Sequence, residues 1–396
     1  MTDIKKLHQA FQEFQRNGID CFYVGGCVRD REFGIESQDI DICLVGVVNY
    51  KLVTEILSKY ADKIAAAVGE FPVWIVTIDG SDYDFALARK ETKEGDTRQD
   101  FLTETFGVTI EQDLLRRDIT INAIAVNCLT GAIVDPYNGV RHIKDRIAFP
   151  VSIAFAEDPL RVYRVARFIA RFNLFASEEL IEMCKEIKHI ISKERIGLEL
   201  HKVLKQADKP SQFFHFLKKV DWLKYHFSFL DNVDLFDFVL HTNEINQGKS
   251  MLQKVVILCR FLELKQTKEF LESITFLDGN FQMNVCHLKV LIGNYKDYTT
   301  REKIAVVKRR LDKHGIPACD FFELIELFLG SVTTHMKDQW ESIVIESIIS
   351  GKILIANGIK EGPEIGLLIK KALSLQDQGL LDKNNWEQIL NKQILN

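Results

Sequence analysis

Short alternating apolar runs and helical stretches are interleaved over the first 150 residues. Runs rich in β-branched and aromatic residues predict strands at 21–24, 40–45, 73–78, 83–88 and 123–127, and a helical pattern covers 50–60. Segments 123–127 and 132–135 flank Leu129-Thr130-Gly131 and predict a hairpin. This mixture indicates an α/β or α+β domain with one sheet.

From about Ile153 onward the apolar residues recur with the 3.6-residue period of amphipathic helices, and only three of the seven prolines follow Pro159. We therefore predict an all-helical remainder, with a joint at Lys209-Pro210. The predicted domains are 1–150, 151–208 and 209–396. The polar, charge-rich segment from Thr92 to Thr105 is predicted to be one long, mobile loop.

Composition narrows the class of protein. An apolar fraction of 46% and a charged fraction of 27% are ordinary for a globular chain, and the net charge of −5 argues against nucleic-acid binding by overall charge. The basic residues of 301–314 could follow a phosphate backbone, or could form a solvated helix face.

Targeting and redox signals point to the cytoplasm. The N-terminus predicts a charged amphipathic helix with Leu7, Phe11 and Phe14 on one side, which is neither a signal peptide nor a membrane span. The eight cysteines show no Cys-x-x-Cys spacing, so we expect neither a zinc site nor a disulfide framework and infer a reducing cytosol.

Two aspartates one residue apart, Asp39 and Asp41, carry the first chemical signal. On a strand both carboxylates would project to one face, while Ile40, Ile42 and Leu44 pack in or beside the core. Two close anions repel each other unless a cation lies between them, and Mg²⁺ takes oxygen ligands and bridges to phosphates. The pair therefore predicts metal-dependent chemistry on a nucleotide; the alternative is a solvated strand end.

A glycine turn precedes the acid pair. Gly25-Gly26 lies between the strand at 21–24 and a short helix that we expect to begin at Val28-Arg29-Asp30. Exposed backbone N–H groups with Arg29 beside them would form an anion cradle next to the metal. An ordinary tight turn is the alternative.

Two further features are candidate site groups: a pair of arginines beside an acid, and an aspartate on another predicted strand. Arg116-Arg117-Asp118 is flanked by apolar residues and could place a guanidinium on a phosphate or ribose, or could be a surface ion pair. Asp84, on the strand at 83–88, could face the acid pair as a general base, or could reflect simple surface alternation.

The segment Glu157-Asp158-Pro159-Leu160-Arg161 begins a helix, with Asp158 near the N-cap and Pro159 near N1. Asp158, Arg161 and Arg164 share one face, which Arg167 and Arg171 extend as a basic stripe. An Asp/Arg pair can accept from an exocyclic amine and donate to a ring nitrogen or carbonyl. Asp158 and Arg161 could therefore admit cytosine and adenine and reject guanine and uracil; a solvated face is the alternative.

Taken in order, these motifs resemble the class II, bacterial-type tRNA nucleotidyltransferases, the CCA-adding enzymes and poly(A) polymerases of the polymerase-β superfamily. The resemblance covers roughly residues 20–205, including Asp135-Pro136-Tyr137-Asn138-Gly139 and Glu194-Arg195. It implies an α+β nucleotidyltransferase head with one mixed sheet at 1–150, a base-selecting helical neck at 151–208, and a tRNA-binding helical body and tail at 209–396.

The resemblance also implies an activity: template-independent addition of C, C and A to a tRNA 3′ end from CTP and ATP, with release of pyrophosphate and without DNA or a membrane as partner. It assigns the metal, Mg²⁺, to Asp39 and Asp41. Triphosphate and ribose contacts fall to Gly26, Arg29 and Arg117. Base selection falls to Asp158 and Arg161, supported by Arg164 and Arg167.

Other readings remain. Poly(A) polymerase, or an enzyme that adds only CC or only A, would share the head. Gly69-Glu70-Phe71-Pro72, without paired basic residues after the glycine, favours CCA addition, and we expect the capacity to add A to lie in 92–105. An RNA-binding protein that retains the fold is the non-enzymatic alternative. The apolar helix at 255–262 lacks a His-Asp pair, so we expect no phosphohydrolase activity there.

Overall fold

A computed structural model of the chain describes residues 5–37, 39–67, 72–93, 101–188, 191–273, 277–330, 332 and 334–394. The chain forms two compact units, Met1–Val239 and Leu240–Asn396. In the described part of the chain no helix is both long and apolar enough to cross a membrane.

Every strand among the described residues belongs to the first unit. They are β1 Asp20–Val24, β2 Ile40–Val45, β3 Lys63–Ala67, β4 Val73–Ile78, β5 Ser81–Leu87, β6 Lys90–Lys93, β7 Phe101–Glu104, β8 Ala125–Asn127, β9 Ile133–Val134, β10 Ile147–Ala148 and β11 Phe175–Ala176. Seven of them form one sheet in the order β3-β4-β5-β2-β1-β8-β9. Only β2 and β5 pair in parallel within it, so the sheet is mixed and the predicted α+β class is confirmed.

The first unit also contains helices. They are α1 Lys5–Arg16, α2 Gly26–Glu32, α3 Tyr50–Tyr60, α4 Ile110–Leu115, α5 Gly139–Asp145, α6 Leu160–Phe172, α7 Glu178–Glu186, α8 Lys193–Gln206, α9 Ser211–Lys219, α10 Leu223–His226 and α11 Ser228–Asp231. Of these, α1, α2 and α3 contact the sheet, and α8 and α9 pack on α6. Short 3₁₀ segments cover Thr120–Asn122 and Ile153–Glu157. Helix α12, Leu235–Ile245, spans the boundary between the units.

The two faces of the sheet bury different cores because side chains alternate along each strand. Ile42 and Leu44 of β2 pack with Phe85 of β5 and with residues of α1 and α3. Cys43, between them, points to the opposite face, where it joins a second cluster with residues of α4. Asp41 is two residues before Cys43 on the same strand, so its carboxylate lies on this second face.

The structure corrects several sequence expectations. The expected loop at 92–105 carries β6 and β7 at its two ends, paired antiparallel, and residues 94–100 lie outside the described part. Strand β3, which the pattern did not predict, pairs with β4. The region after 153 is not entirely helical, because Phe175 donates its N–H to the Arg146 carbonyl and brings β11 beside β10.

The second unit is helical in its described residues. Its helices are α13 Met251–Leu258, α14 Leu264–Ser273, α15 Gly279–Gly293, α16 Arg301–Lys313, α17 Ala318–Leu329, α18 Thr334–Ser342, α19 Gly351–Ala356, α20 Pro363–Asp377 and α21 Trp386–Ile389, followed by a π-helical turn over Leu390–Ile394. Ile349, Leu354, Ala372 and Leu381 form part of a buried cluster within it.

Candidate active site

Asp41 and Asp84 lie side by side on the central strands. The parallel pairing of β2 and β5 places them directly opposite each other, on the same face of the sheet. Of the two predicted metal ligands, only Asp41 lies within β2. Asp39 immediately precedes Ile40, the first residue of the strand. Desolvation raises the pKa of Asp41, and the charges of Asp84 and Asp39 raise it further.

The pKa of Asp84 is raised in the same way, first by desolvation and then by the charges of Asp39 and Asp82. The carboxylates repel one another, and a cation bound between them would relieve this repulsion. In the described ranges, however, no three His, Cys, Asp or Glu side chains are grouped closely enough to hold an ion by themselves.

The glycine turn lies against the acids. Gly25 has φ of 71°, and a Cβ placed on it would lie 3.1 Å from Nη1 of Arg117 and 3.4 Å from Oδ2 of Asp41. A side chain at position 25 would therefore be strained and would crowd both groups. Helix α2 begins at Gly26, earlier than the expected start at Val28, because Gly25 occupies the N-cap.

Asp113 holds the arginines of the Arg116-Arg117-Asp118 motif. This carboxylate is 1% exposed. Its Oδ1 accepts from Nε and Nη2 of Arg116, at 3.0 and 2.7 Å, and its Oδ2 accepts from Nη2 of Arg117 at 2.9 Å. Burial opposes the charge of Asp113, but Arg117 and Arg116 more than compensate and lower its pKa.

Arg117 is fixed further by donating Nη1 to the Asn122 carbonyl at 3.2 Å. Its Nε is buried and has no hydrogen-bond partner in the structure. Burial would lower the pKa of this guanidinium, but Asp113 raises it overall, so Arg117 stays a cation beside Asp41. Asp113 was not predicted as a site residue, although its spacing of three and four residues from Arg116 and Arg117 was a usable signal.

Helix α6 begins one residue later than expected. Pro159 occupies the N-cap and Leu160 is the first helical residue. Asp158 still stabilises the start, because its Oδ1 accepts from the Leu160 N–H at 3.0 Å and its carbonyl accepts from the Arg161 N–H. Asp158 therefore caps a backbone N–H at the start of α6, as predicted, but it does so from the residue before the N-cap.

Asp158 and Arg161 are each held by other groups. Arg195, from α8, donates Nη2 to both Asp158 oxygens at 3.2 and 2.9 Å. Arg161 donates Nη1 to the Ala154 carbonyl and Nη2 to the Arg116 carbonyl, at 2.7 and 2.6 Å. These contacts orient both side chains, and they bring the start of α6 next to the Arg116-Arg117 motif.

The rest of the arginine stripe pairs with carboxylates inside the protein. Arg164 donates Nε to Oδ2 of Asp118 at 2.8 Å, and Asp118 raises its pKa. Arg167 is 7% exposed and donates Nε to Oε2 of the buried Glu199 at 2.5 Å. The stripe is therefore not a solvated face, because the neighbouring elements supply a carboxylate to each of these guanidinium groups.

Arg29 is also internal, with 6% exposure. Its Nε and Nη2 donate to Oδ1 of Asp30 at 2.8 and 2.6 Å, and its Nη1 donates to Oδ1 of Asn122 at 2.7 Å. Two of its five N–H groups remain for another partner. Its Nη2 lies 3.6 Å from the position of a Cβ on Gly26, so the guanidinium borders the glycine turn.

Known proteins resemble this chain in sequence. Residues 21–148 match the family model described as the poly A polymerase head domain. The chain is 31% identical over 344 residues to the multifunctional CCA protein of Haemophilus ducreyi, an alignment that covers 78% of this chain and 80% of that protein. It is 33% identical over 321 residues to the CCA-adding enzyme of Francisella tularensis subsp. tularensis, covering 77% of this chain and 79% of that protein.

The fold has a counterpart among solved structures. The Bacillus stearothermophilus CCA-adding enzyme, solved in complex with CTP, aligns with a TM-score of 0.74 at 19% sequence identity, over 96% of this chain and 94% of that one. The structural likeness concerns the fold, whereas the sequence matches extend over most of both chains. The chain belongs to the family of CCA-adding enzymes.

Proposed function

We propose that this protein adds C, C and A to the 3′ end of tRNA from CTP and ATP and releases pyrophosphate. The observation that carries the proposal is the meeting of Asp41, Asp84, the Gly25 turn and Arg117 at one end of the β2–β5 pair. Carboxylates, a backbone turn and a fixed guanidinium are the groups that nucleotidyl transfer requires around a triphosphate.

Membership of the family implies a divalent metal ion, and we assign Mg²⁺ to Asp39 and Asp41. Mg²⁺ is usually held by one or two carboxylates together with substrate phosphates, so the absence of a third protein ligand among the described residues fits this cation. When bound, the metal would supply charge neutralisation at the α-phosphate and a lower pKa for the attacking hydroxyl.

Arg117 would neutralise charge on the triphosphate. Asp113 and the Asn122 carbonyl fix its guanidinium before substrate arrives, so little conformational entropy would be lost on binding. The Gly25-Gly26 turn allows phosphate oxygens to approach the backbone closely, because Gly25 presents no Cβ next to Asp41. Arg29, whose Nη2 borders Gly26 and has one N–H not used by Asp30, would complete this contact.

Asp84 would receive the proton of the 3′-hydroxyl. Its pKa is raised above that of an ordinary aspartate, and a stronger base accepts a proton more readily in the transition state. Its position beside Asp41 keeps it within the carboxylate cluster.

Asp158 and Arg161 would read the base edge. Arg195 holds the Asp158 carboxylate through one nitrogen, which leaves acceptor capacity for an exocyclic amine. Arg161 uses two N–H groups on backbone carbonyls and keeps three for a ring nitrogen or carbonyl. Arg164 and Arg167 would support this face from the following turns of α6.

The helical body and tail at 209–396 would carry the tRNA contacts. Of the basic residues of α16, Lys308 donates to the carbonyls of Trp340 and Ile343, and Arg309 pairs with Asp377, so these two stabilise the second unit itself. Lys303, Arg310 and Lys313 are exposed and are the ones we assign to the RNA backbone.

The alternatives remain a poly(A) polymerase, a CC-only or A-only enzyme, and a non-catalytic RNA-binding protein. Two segments used to separate them, 69–71 and 94–100, lie outside the described residues, so experiment must decide. Purified protein is incubated with a tRNA that lacks its terminal CCA and with each labelled triphosphate in turn. We expect incorporation of C, then of A only after C, and none from UTP or GTP.

The same assay is run with Asp39→Ala/Asp41→Ala and with Asp145→Asn, a control acid that is half exposed on α5. Incorporation should vanish in the first variant and persist in the second. Unlimited addition of A would favour the poly(A) alternative, and tRNA binding without any incorporation would favour the non-enzymatic one.

A further inference from the structure

Six side chains form a hydrogen-bonded chain that leaves α6 at Arg171, passes through α2 and the Asp118–Asn122 segment, and returns to α6 at Arg164. Arg171 donates Nη2 to Oδ2 of Asp30 at 2.9 Å, and Asp30 Oδ1 accepts from Arg29. Asn122 accepts from Arg29 through Oδ1 and donates Nδ2 to Oδ1 of Asp118 at 2.8 Å. We call this hydrogen-bonded chain, completed by the bond from Arg164 to Asp118, the arginine ring.

The arginine ring begins and ends on one face of α6. Arg164 and Arg171 are seven residues apart, which is about two helical turns. Phe168 lies between them, and the guanidinium of Arg29 stands over its ring at 5.0 Å from the centroid and over that of Phe172 at 4.8 Å. Helix α6 therefore contacts α2 through the Arg171–Asp30 bond and through the stacking of Arg29 on Phe168 and Phe172, and it contacts the Asp118–Asn122 segment through Arg164.

The inner members of the ring are buried, with exposures of 5% for Asp30, 5% for Asp118 and 6% for Asn122. Buried ion pairs are a poor source of net stability compared with apolar packing, but they fix the orientation of the groups they join. The Asn122 amide suits its place, because its oxygen accepts from Arg29 while its nitrogen donates to Asp118.

Two members of the ring are proposed to contact the nucleotide or to support such a contact. Arg29 borders the Gly26 turn, where we place the triphosphate. Arg164 follows Arg161 by one turn on the face where we place the base. A displacement of Arg29 would therefore be transmitted to Arg164 through Asn122 and Asp118. Asp30 and Arg171 provide a second path from Arg29 to α6.

We propose that Asp30, Asn122 and Arg171 are positioning residues for nucleobase selection, which set the distance and angle between the triphosphate site and the base-reading face of α6. This inference rests on the proposed function. The three residues act through Arg29 and Arg164. Loosening the ring would allow α6 to tilt relative to a bound triphosphate, so that a wrong base is admitted while the chemistry at Asp41 continues.

The test compares selectivity in Arg171→Ala, Asn122→Ala and the double variant. For each, kcat and KM are measured for CTP and for UTP on tRNA lacking CCA. We expect the ratio of kcat/KM for CTP over UTP to fall about tenfold in each single variant, with kcat for CTP changed less than about threefold. Because the two residues belong to the same arginine ring, the double variant should lose no more selectivity than either single one.

Arg141→Ala serves as the matched control, since the Arg141 side chain is 80% exposed on α5. If Asn122→Ala does not fold, Arg171→Lys replaces it: the charge remains, the planar fork is lost, and we expect a partial fall in selectivity with unchanged thermal unfolding. Selectivity within twofold of the unsubstituted protein in the ring variants, or strictly additive losses in the double variant, overturns the inference. Absence of any incorporation by the unsubstituted protein refutes the proposed function instead.

Discussion

Asp41 on β2 and Asp84 on β5 are direct partners in the parallel pair at the centre of the sheet. Each carboxylate has a raised pKa because it is partly desolvated and lies near further negative charge. The folded protein therefore holds them together at an energetic cost that a bound cation would relieve.

Replacing Asp41 or Asp84 by asparagine should raise the thermal stability of the metal-free protein, and the Asp41 substitution should lower its activity. For a carboxyl whose folded-state pKa is raised, the charged form destabilises the folded state at every pH above the unfolded value, so removing the charge is stabilising at neutral pH. We expect Asp41→Asn and Asp84→Asn to raise the Tm in the absence of divalent metal. Asp41→Asn should lower CTP incorporation by about a thousandfold or more.

Thermal unfolding with and without Mg²⁺ checks this prediction. Mg²⁺ should raise the Tm of the unsubstituted protein and leave that of Asp41→Asn almost unchanged. Asp145→Asn is the control, and it should respond to Mg²⁺ as the unsubstituted protein does. A lower Tm in both metal-free variants would count against the repulsion described for this site.

The pH dependence of catalysis should reflect the same acids. Because the pKa values of Asp41 and Asp84 are raised, kcat/KM should begin to fall on acidification at a higher pH than an ordinary aspartate, with a pKa of about 3.9, would allow. Mg²⁺ favours the charged carboxylates, so a higher Mg²⁺ concentration should shift the acid limb to lower pH. Profiles recorded at low and at saturating Mg²⁺ that coincide would contradict the assignment.

Asp113→Asn should weaken both the fold and the binding of triphosphate. The Asp113 carboxylate is buried and holds Arg116 and Arg117. Its loss leaves Arg117 without its carboxylate partner and Arg116 with Glu91 alone, and should cost about 3 kcal/mol of unfolding free energy. The KM for CTP should rise more than kcat falls, because Arg117 would lose its orientation.

The acid stability of the same variant provides a second check. The pKa of Asp113 is lowered in the folded state, so its stabilising effect is present above the unfolded value of about 3.9 and is lost as the pH falls through the folded one. Denaturant unfolding from pH 7 down to pH 3 should therefore show a shallower loss in Asp113→Asn than in the unsubstituted protein. Equal slopes would mean that Asp113 is not held as described.

Asp158→Ala should change which nucleotides are incorporated, because it removes the acceptor proposed for the exocyclic amine. Arg195→Ala should have a smaller effect of the same kind, since Arg195 orients Asp158 without being the proposed reader. Competition between CTP and UTP, and between ATP and GTP, measures both. Unchanged nucleotide choice in Asp158→Ala would show that this side chain does not read the base.

The sequence predicted the sheet domain and its candidate groups because strand alternation and glycine turns are local properties. The run from Ile40 to Val45 and the helix at Tyr50–Tyr60 match the observed bounds. Strand β3 was missed because Lys63–Ala67 contains three alanines and little β-branched character, so its pairing depends on β4.

The hydrogen-bond and ion-pair partners of the site arginines could not be predicted, because they are far apart in the sequence. Arg29 and Asn122 are 93 residues apart, and Arg171 and Asp30 are 141 apart. The pattern showed arginines on one face of α6, but which carboxylate each would meet depends on how α2 and α8 pack against that helix. A stripe that looks solvated in sequence is therefore largely internal in the structure.

CCA addition is tested most directly by the mass of the product formed on tRNA lacking its CCA end, when the purified protein is given CTP, ATP and Mg²⁺ together. We expect the RNA to gain the mass of two cytidylates and one adenylate and no more, and Asp39→Ala/Asp41→Ala to yield no gain. Product that ends after one or two nucleotides, extends with further adenylates, or forms equally well in the double variant would contradict this expectation.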